Sequence, residues 1–340
     1  MSSKGFVAEI LQQLSDRIDL NADQIRTAMQ QIMQGEWQPA QIGAFLLGLR
    51  VKRESITELT VAAEVMRSFA MQVPVSSRQH LIDTCGTGGD AKNTFNVSTT
   101  VAFVVAAAGG RVAKHGGRSV SSCCGSADVL EALGVPLNLS SERIGVAIDT
   151  LGIGFMFAQH HHPAMKHVAA IRKELGTRTI FNVLGPLTNP AGAPHQLLGV
   201  FSGALVEPLV RVLDRLGSKR ALVVSGTDGL DELSISAPTL VGEISKGNYT
   251  EKLVAPEKFG LKSSPIEALK VATLDEAKNS ILEVLSDTPG AKRDIVLLNA
   301  GAALYVCGIA ASFVEGIDRA RAVLANGAAQ KKLEALVQFR

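Results

Sequence analysis

Two glycine-rich stretches limit what this 340-residue chain can fold into. DTCGTGGDAKNTFNVST spans residues 83–99 and KHGGRSVSSCCGSADVLEALG spans 114–134, each between a short apolar run and a helical segment. Leu81-Ile82 enters the first loop as a buried strand, and the small apolar residues from Thr100 to Ala108 leave it as a buried helix. Arg111 to Ala113 is the next strand and Gly125 to Leu133 the next helix. The alternation continues through a strand at Ile153–Ala158, a helix at Ala164–Leu175, a strand at Leu197–Val200, a helix ending at Leu216 and a strand at Ala221–Val224. Strand, loop, helix, strand is the order of an α/β sheet with helices on its faces. Two more strands, Leu240–Ile244 and Tyr249–Leu253, precede a helical end.

The first 70 residues follow a different rule. Phe6, Ile10, Leu11 and Leu14 recur at helical spacing, and no strand pattern interrupts them before residue 70. Asn21 and Ser55 have the chemistry of N-caps, with Asp23-Gln24 and Glu58 in the turns that follow. Gln38-Pro39 breaks the chain ahead of a helix around Ile42–Leu49, so four short helices form a small all-helical unit. Between the two regimes lies RTIFNVLGPLTNPAG (178–192), where Gly185-Pro186, Asn189-Pro190 and Gly192 break any regular element and mark a crossing between domains.

With 46% apolar and 19% charged residues, the chain can build cores for roughly two domains. A net charge of +2 without a Lys/Arg run argues against a nucleic-acid tract. Cys85, Cys123, Cys124 and Cys307 form no C-x-x-C pair, and the adjacent Cys123 and Cys124 cannot readily bridge each other. The N-terminus lacks a signal-peptide core, and Val101–Ala108 falls short of the about 20 residues a membrane span needs. The expectation is a soluble cytoplasmic protein with reduced thiols.

Gly86, Gly88 and Gly89 let backbone N–H groups approach a ligand, and Thr94, Asn96, Ser98 and Thr99 lead into a helix whose N-terminus favours an anion. The competing reading is a plain turn capped by Ser98 or Thr99. Neither the Walker spacing nor G-x-G-x-x-G is present, and Asp90 inside the loop suits a sugar hydroxyl or a metal-bound phosphate. Lys114, His115 and Arg118 with Gly116, Gly117 and a serine cluster have the composition of a second anion loop, where Ser126 either caps the next helix or reaches a phosphate. Asp228, Asp231 and Glu232 follow a strand; the adjacent acids repel unless a cation lies near, which suits Mg²⁺, although a solvated acidic turn has the same composition. His160, His161 and His162, read as extended, point to opposite faces and so line a pocket rather than bind zinc. Arg172 has the planar fork that matches a carboxylate.

In order along the chain, GTGGD (86–90), NVST (96–99), KHG (114–116), GSADVLEALG (125–134), HHPAMKHV (161–168), RTIFNVLGPLTNPA (178–191) and DGLDE (228–232) resemble the anthranilate phosphoribosyltransferase family. The resemblance implies transfer of phosphoribose from 5-phosphoribosyl diphosphate (PRPP) to anthranilate, the second step of tryptophan synthesis. It also implies a homodimer of α/β chains, each with a small helical domain (1–75 plus about 178–194) and a larger domain with a mixed sheet (76–177 plus 195–340). By position, Gly86, Gly89, Asp90, Thr94, Asn96, Val97, Ser98, Thr99, Lys114, Ser121, Ser122 and Ser126 would hold PRPP. Ser98, Asp231 and Glu232 would serve Mg²⁺, while Gly86, His115, Gly117 and Arg172 would face anthranilate. No side-chain nucleophile is expected, no membrane or nucleic-acid partner is implied, and no general base stands out. The family pattern KHGNR is KHGGR here, so Gly117 replaces an asparagine that contacts anthranilate, and Cys123-Cys124 departs from the usual pair. Two rivals are a pyrimidine nucleoside phosphorylase, whose phosphorolysis needs no Mg²⁺ acids, and a silent nucleic-acid-binding paralogue, which would lose the acid pair and gain a basic groove.

Overall fold

A computed structural model of the protein describes residues 3–118 and 124–340. Four helices open the chain: α1 (Ser3–Ser15), α2 (Ala22–Gln34), α3 (Pro39–Lys52) and α4 (Ile56–Phe69). The Asn21 side chain accepts from the amides of Asp23 and Gln24, and Ser55 Oγ accepts from Glu58 N at 3.2 Å. Pro39 does more than interrupt the chain. It is the first residue of α3, where its missing N–H costs nothing.

The α/β part follows as β1 (Leu81–Gly86), α5 (Val97–Ala107), β2 (Arg111–Gly116), α6 (Ser126–Ala132), α7 (Ser141–Leu151) and β3 (Ile153–Phe157). Then come α8 (Ala158–His161), α9 (Lys166–Leu175), α10 (Phe181–Leu184), β4 (His195–Gly199), α11 (Val206–Arg215) and β5 (Arg220–Gly226). β6 (Thr239–Ser245) and β7 (Asn248–Val254) lead to α12 (Leu274–Leu285), α13 (Ala291–Val306), α14 (Phe313–Ala325) and α15 (Ala328–Gln338). The strands form one sheet in the order β3-β2-β1-β4-β5-β6-β7, parallel from β3 to β5 and antiparallel beyond.

The parallel strands are buried on both faces, while the antiparallel edge strand β7 is largely exposed. One face packs on α5 and the C-terminal helices, through residues such as Val101, Val104, Leu297 and Ile317. On the other, Leu198, Val223 and the α11 residues Leu209 and Leu213 join an apolar cluster that runs on through Phe45, Leu46 and Ala62 of the first four helices. Ile180, Phe181, Leu184 and Leu187, from the breaker-rich stretch, are buried in that same cluster. Arg67 of α4 fastens them there, its Nε donating to Leu187 O at 2.7 Å. Among the described residues no helix is long and apolar enough to cross a membrane.

Candidate functional site

β1 and β4 are neighbours, yet the chain proceeds from them toward opposite edges of the sheet. Loops leaving the carboxyl ends of such a pair diverge and leave a crevice. Gly86 and Gly199 face each other in register at those ends. A Cβ at Gly86 would collide with Asp231 Oδ2, and one at Gly199 with the Asp231 backbone carbonyl. Two missing side chains therefore let the segment carrying Asp231 and Glu232 lie across the crevice.

Backbone amides receive both acids. Gly88 N donates to Asp231 Oδ2 at 2.8 Å and Ser98 N donates to Glu232 Oε1 at 3.1 Å. Ser98 belongs to the first turn of α5, where free N–H groups and the helix dipole favour a negative charge. That helix starts at Val97, with Asn96 as its cap residue, and not near Thr100 as the apolar pattern indicates. The amide of Thr100 already bonds Asn96 O at 3.1 Å, so polar residues form the first turn and neither Ser98 nor Thr99 is the N-cap. The Asn96 side chain ties the two loops together instead, its Nδ2 donating to Cys124 O at 3.3 Å.

Lys114 and His115 are not loop residues. They extend β2 to Gly116, paired with Phe155–Phe157 of β3, a partner 40 residues away that local composition does not reveal. Buried at 3% exposure, Lys114 aims its Nζ at Thr84 O (2.6 Å) and Ser98 Oγ (3.3 Å). Burial lowers the pKa of this ammonium, against the opposing pull of Asp83, Cys85 and Glu232. Burial pushes the carboxyls of Asp231 and Glu232 up, and neighbouring charge adds to it: Asp90 acts on Asp231, and Asp231 on Glu232. Acids this costly to ionise call for a cation. Ser98, Asp231 and Glu232 offer the hard oxygens that Mg²⁺ takes, and among the described residues no three His, Cys, Asp or Glu form a complete cage. A partial set of this kind fits Mg²⁺ that draws the rest of its shell from phosphate and water.

The glycine loop itself is held open by left-handed residues: Gly88 (φ 66°), Gly89 (φ 76°), Ala91 (φ 58°) and Asn93 (φ 54°). Asp90 Oδ1 accepts from Lys92 N at 3.1 Å, and Thr94 pairs with Lys270 in an isolated bridge. Val97 and Thr99 are buried, and Thr99 Oγ1 has no partner among the described residues. In the second loop, Ser126 opens α6 and its Oγ donates to Gly117 O at 3.4 Å; a Cβ at Gly116 would strike that Oγ. Ser121 and Ser122 lie outside the described residues.

Next to this charged region is a neutral one. His115 and His162 have ring centroids 5.0 Å apart, and the Nε2 atom of each is buried without a partner among the described residues. Burial, helped by neighbouring histidines, brings His115 down to about 3 and His162 to about 4. The three histidines are not extended. Ala158–His161 is a helical turn that buries His161 beside His162 and leaves His160 exposed. A Cβ on Gly117 would meet Ala158 Cβ at 3.7 Å, which places Gly117 on the same wall. Half-buried on α9, Arg172 has its guanidinium carbon 5.5 Å over the Phe181 ring and neither hydrogen bond nor ion pair among the described residues.

Several residues of the site carried no sequence signal. Gly199 reads as an ordinary strand glycine until Asp231 is seen above it. Arg178 stacks on Phe201 at 3.8 Å, donates to Gly89 O, and accepts from Arg50 Nη1 through its carbonyl at 2.8 Å. Asp83, pushed by burial up to about 6, accepts from Asn189 Nδ2 at 2.7 Å and His115 N at 3.3 Å beneath the second loop. A local hint existed for Arg178 and Asn189 alone, since both lie in the breaker-rich stretch.

Residues 78–330 match the model of the glycosyl transferase family α/β domain, and residues 8–70 that of the family's helical bundle domain. The anthranilate phosphoribosyltransferase of Thiobacillus denitrificans is 56% identical over 331 residues, covering 97% of this chain and 96% of the relative. The crystal structure of the Thermus thermophilus enzyme of that name superposes with a TM-score of 0.92 at 44% identity, over 97% of this chain and 98% of its own. The Saccharomyces cerevisiae enzyme, solved in complex with PRPP and Mg, superposes with a TM-score of 0.89 at 26% identity, over 98% of each chain. Both domains are thus matched along nearly the whole length, and this chain belongs to the anthranilate phosphoribosyltransferase family.

Proposed function

We propose that the protein transfers the phosphoribosyl group of PRPP to the amine of anthranilate, releasing diphosphate in a Mg²⁺-dependent reaction of tryptophan synthesis. The observation that carries this reading is the convergence of Asp231, Glu232, Ser98 and Lys114 at the end of β1, beside an open glycine loop. The left-handed residues of that loop leave backbone amides available to a diphosphate, and the N-terminus of α5 adds its positive end. When bound, Mg²⁺ neutralises charge on the leaving diphosphate. Lys114 holds Ser98 in place, and Gly88 and Ser98 amides hold the acids.

In the neutral region the Arg172 guanidinium is free to clamp the carboxylate of anthranilate, and His115, His162 and Gly117 wall the ring. Fixed in this way, the amine nitrogen attacks ribose C1 as the bond from C1 to the diphosphate oxygen breaks, and the amine proton leaves as the new bond forms. Orientation and charge stabilisation account for the rate without a side-chain nucleophile. The reading extends to a homodimer formed through the helical part and to action in the cytoplasm.

One assay tests it. Mixed with PRPP and Mg²⁺, the protein is expected to quench anthranilate fluorescence, and chelating the metal to stop the change. No quenching with PRPP and Mg²⁺, accompanied by phosphorolysis of thymidine, would replace this reading with that of a nucleoside phosphorylase.

A further inference from the structure

Helix α13 is apolar along its buried face except at Asn299, which is fully buried among Leu297, Leu298 and Ala300. An unpaired amide there would be costly, and this one is paired in a particular way. Its Oδ1 accepts from Leu233 N at 2.9 Å, and its Nδ2 donates to Leu233 O and to Ile295 O, both at 2.9 Å. The side chain thus treats Leu233 as a neighbouring strand would, bonding both polar groups of one residue. Leu233 N belongs to the peptide unit that follows Glu232. From the opposite side, the Ser98 and Gly88 amides hold the carboxylates of Glu232 and Asp231. Asp228 closes the same segment, its Oδ2 accepting from Ser234 Oγ at 2.7 Å and from Ser236 Oγ. The acid pair is therefore gripped at its side chains by the glycine loop and α5, while α13 holds the backbone of the very next residue, Leu233.

We infer that Asn299 is a positioning residue for the Asp231–Glu232 pair and, through it, for the divalent cation that accompanies PRPP. The inference rests on reading that pair as metal ligands. A residue that merely filled the core would set stability alone. One that aims the acids sets metal affinity as well, because carboxylates that swing away from the crevice must be reordered when the ion binds.

The test uses Mn²⁺ as probe, its free concentration followed by electron paramagnetic resonance in the presence of PRPP, with the Mg²⁺ dependence of turnover measured in parallel. Four variants are compared: Asn299→Ala, the milder Asn299→Ser, Glu232→Gln, and Leu304→Ala, which removes a buried side chain from the same helix. Asn299→Ala is expected to weaken Mn²⁺ binding roughly tenfold, within the range that supporting residues of metal sites show. The Mg²⁺ activation constant is expected to rise in proportion while the anthranilate KM holds. If Asn299→Ala does not fold, Asn299→Ser carries the same comparison. Leu304→Ala is expected to lower Tm and leave both metal constants alone. Wild-type Mn²⁺ affinity in the folded Asn299 variants, with weakened binding in Glu232→Gln, overturns the role of Asn299. Unchanged binding in Glu232→Gln shows instead that the pair does not hold the metal, and the inference falls with that reading.

Discussion

The charged and neutral regions of the crevice treat buried polarity in opposite ways. Around Asp231 and Glu232 the charged groups are held by the protein itself: the Gly88 and Ser98 amides receive the acids and Lys114 bonds the Ser98 hydroxyl, a closed set beside which the Thr87 and Thr99 hydroxyls lack partners among the described residues. Beside it, His115 of β2 and His162 after the Ala158–His161 turn keep buried ring nitrogens without partners among the described residues, and Arg172 keeps a half-buried charge without a counterion among them. Buried polar groups are normally paired, so each orphan calls for an explanation, and a ligand is the one we propose for His115 and His162. On the proposed reading, the charged region takes a cation and the neutral region an aromatic acid.

The largest effect should come from dismantling the closed set. Asp231→Asn combined with Glu232→Gln keeps the shapes and removes both charges, and turnover is expected to fall roughly 10²–10³-fold, about 3–4 kcal/mol of barrier. The loss should show in kcat and in the Mg²⁺ dependence, with anthranilate KM little changed. Near-normal turnover by this folded double variant would erase the distinction between the two regions.

Arg172 tests the other side. Arg172→Lys keeps the charge and loses the fork, and a loss of about 1.5–3 kcal/mol in apparent anthranilate affinity is expected, as for a charge-assisted bond. The PRPP KM should stay put, since the two glycine-rich stretches lie elsewhere. Wild-type anthranilate kinetics in both Arg172→Lys and Arg172→Ala would move the carboxylate to another partner.

These two predictions rest on features of unequal legibility. The glycine loop and the acid pair were readable because each is a short local pattern whose composition states its chemistry. Their meeting was not, because Gly88 and Asp231 are 143 residues apart and only the β1–β4 pairing brings them together. The start of α5 was misplaced because the apolar run begins at Val101, while Ser98, Thr99 and Thr100, read as loop residues, form its first turn after Asn96. Lys114 and His115 looked like loop residues because a strand inside a parallel sheet is recognised by apolar runs, and here function has replaced them. The histidine turn was likewise invisible, since three histidines have no strong local preference and His161 is drawn inward by the Met71 carbonyl, 2.9 Å from its Nδ1. Asn299 gave no hint of its partner, since Leu233 lies 66 residues away.

The unpaired histidines predict a pH dependence of stability. His162 is held near about 4, below the usual 6.5, so between those values the unfolded chain binds a proton that the folded one refuses. Stability is therefore expected to rise with pH through that window, and His162→Gln to flatten the rise by about one proton. At pH near 4.5 the difference amounts to about 2.5 kcal/mol, by the usual ~1.4 kcal/mol per pH unit. Urea midpoints measured from pH 4.5 to 7.5 would show it, and parallel profiles for the two proteins would mean that His162 is not shielded as its burial indicates.

Gly117 should give the smallest change, and it asks whether the neutral region is as complete as this chain can make it. The resemblance to the family implies an asparagine where this sequence has Gly117, and on the proposed reading that asparagine would add one hydrogen bond to the aromatic acid. The site can accept the larger residue at its first carbon: a Cβ there meets Ala158 Cβ at 3.7 Å, an ordinary contact, and Gly117 is not among the glycines with positive φ. Its carbonyl is already committed to Ala127 N at 3.1 Å, which holds the backbone course when a side chain is added. Gly117→Asn is therefore expected to fold normally and to lower the anthranilate KM by up to about 1.5 kcal/mol of binding, the value of one neutral hydrogen bond. PRPP and Mg²⁺ constants should not move, because the closed set around Asp231 and Glu232 is untouched. A raised anthranilate KM would show that the open space beside His115 and Ala158 is itself part of the fit, and that the ring rests where the asparagine side chain would lie.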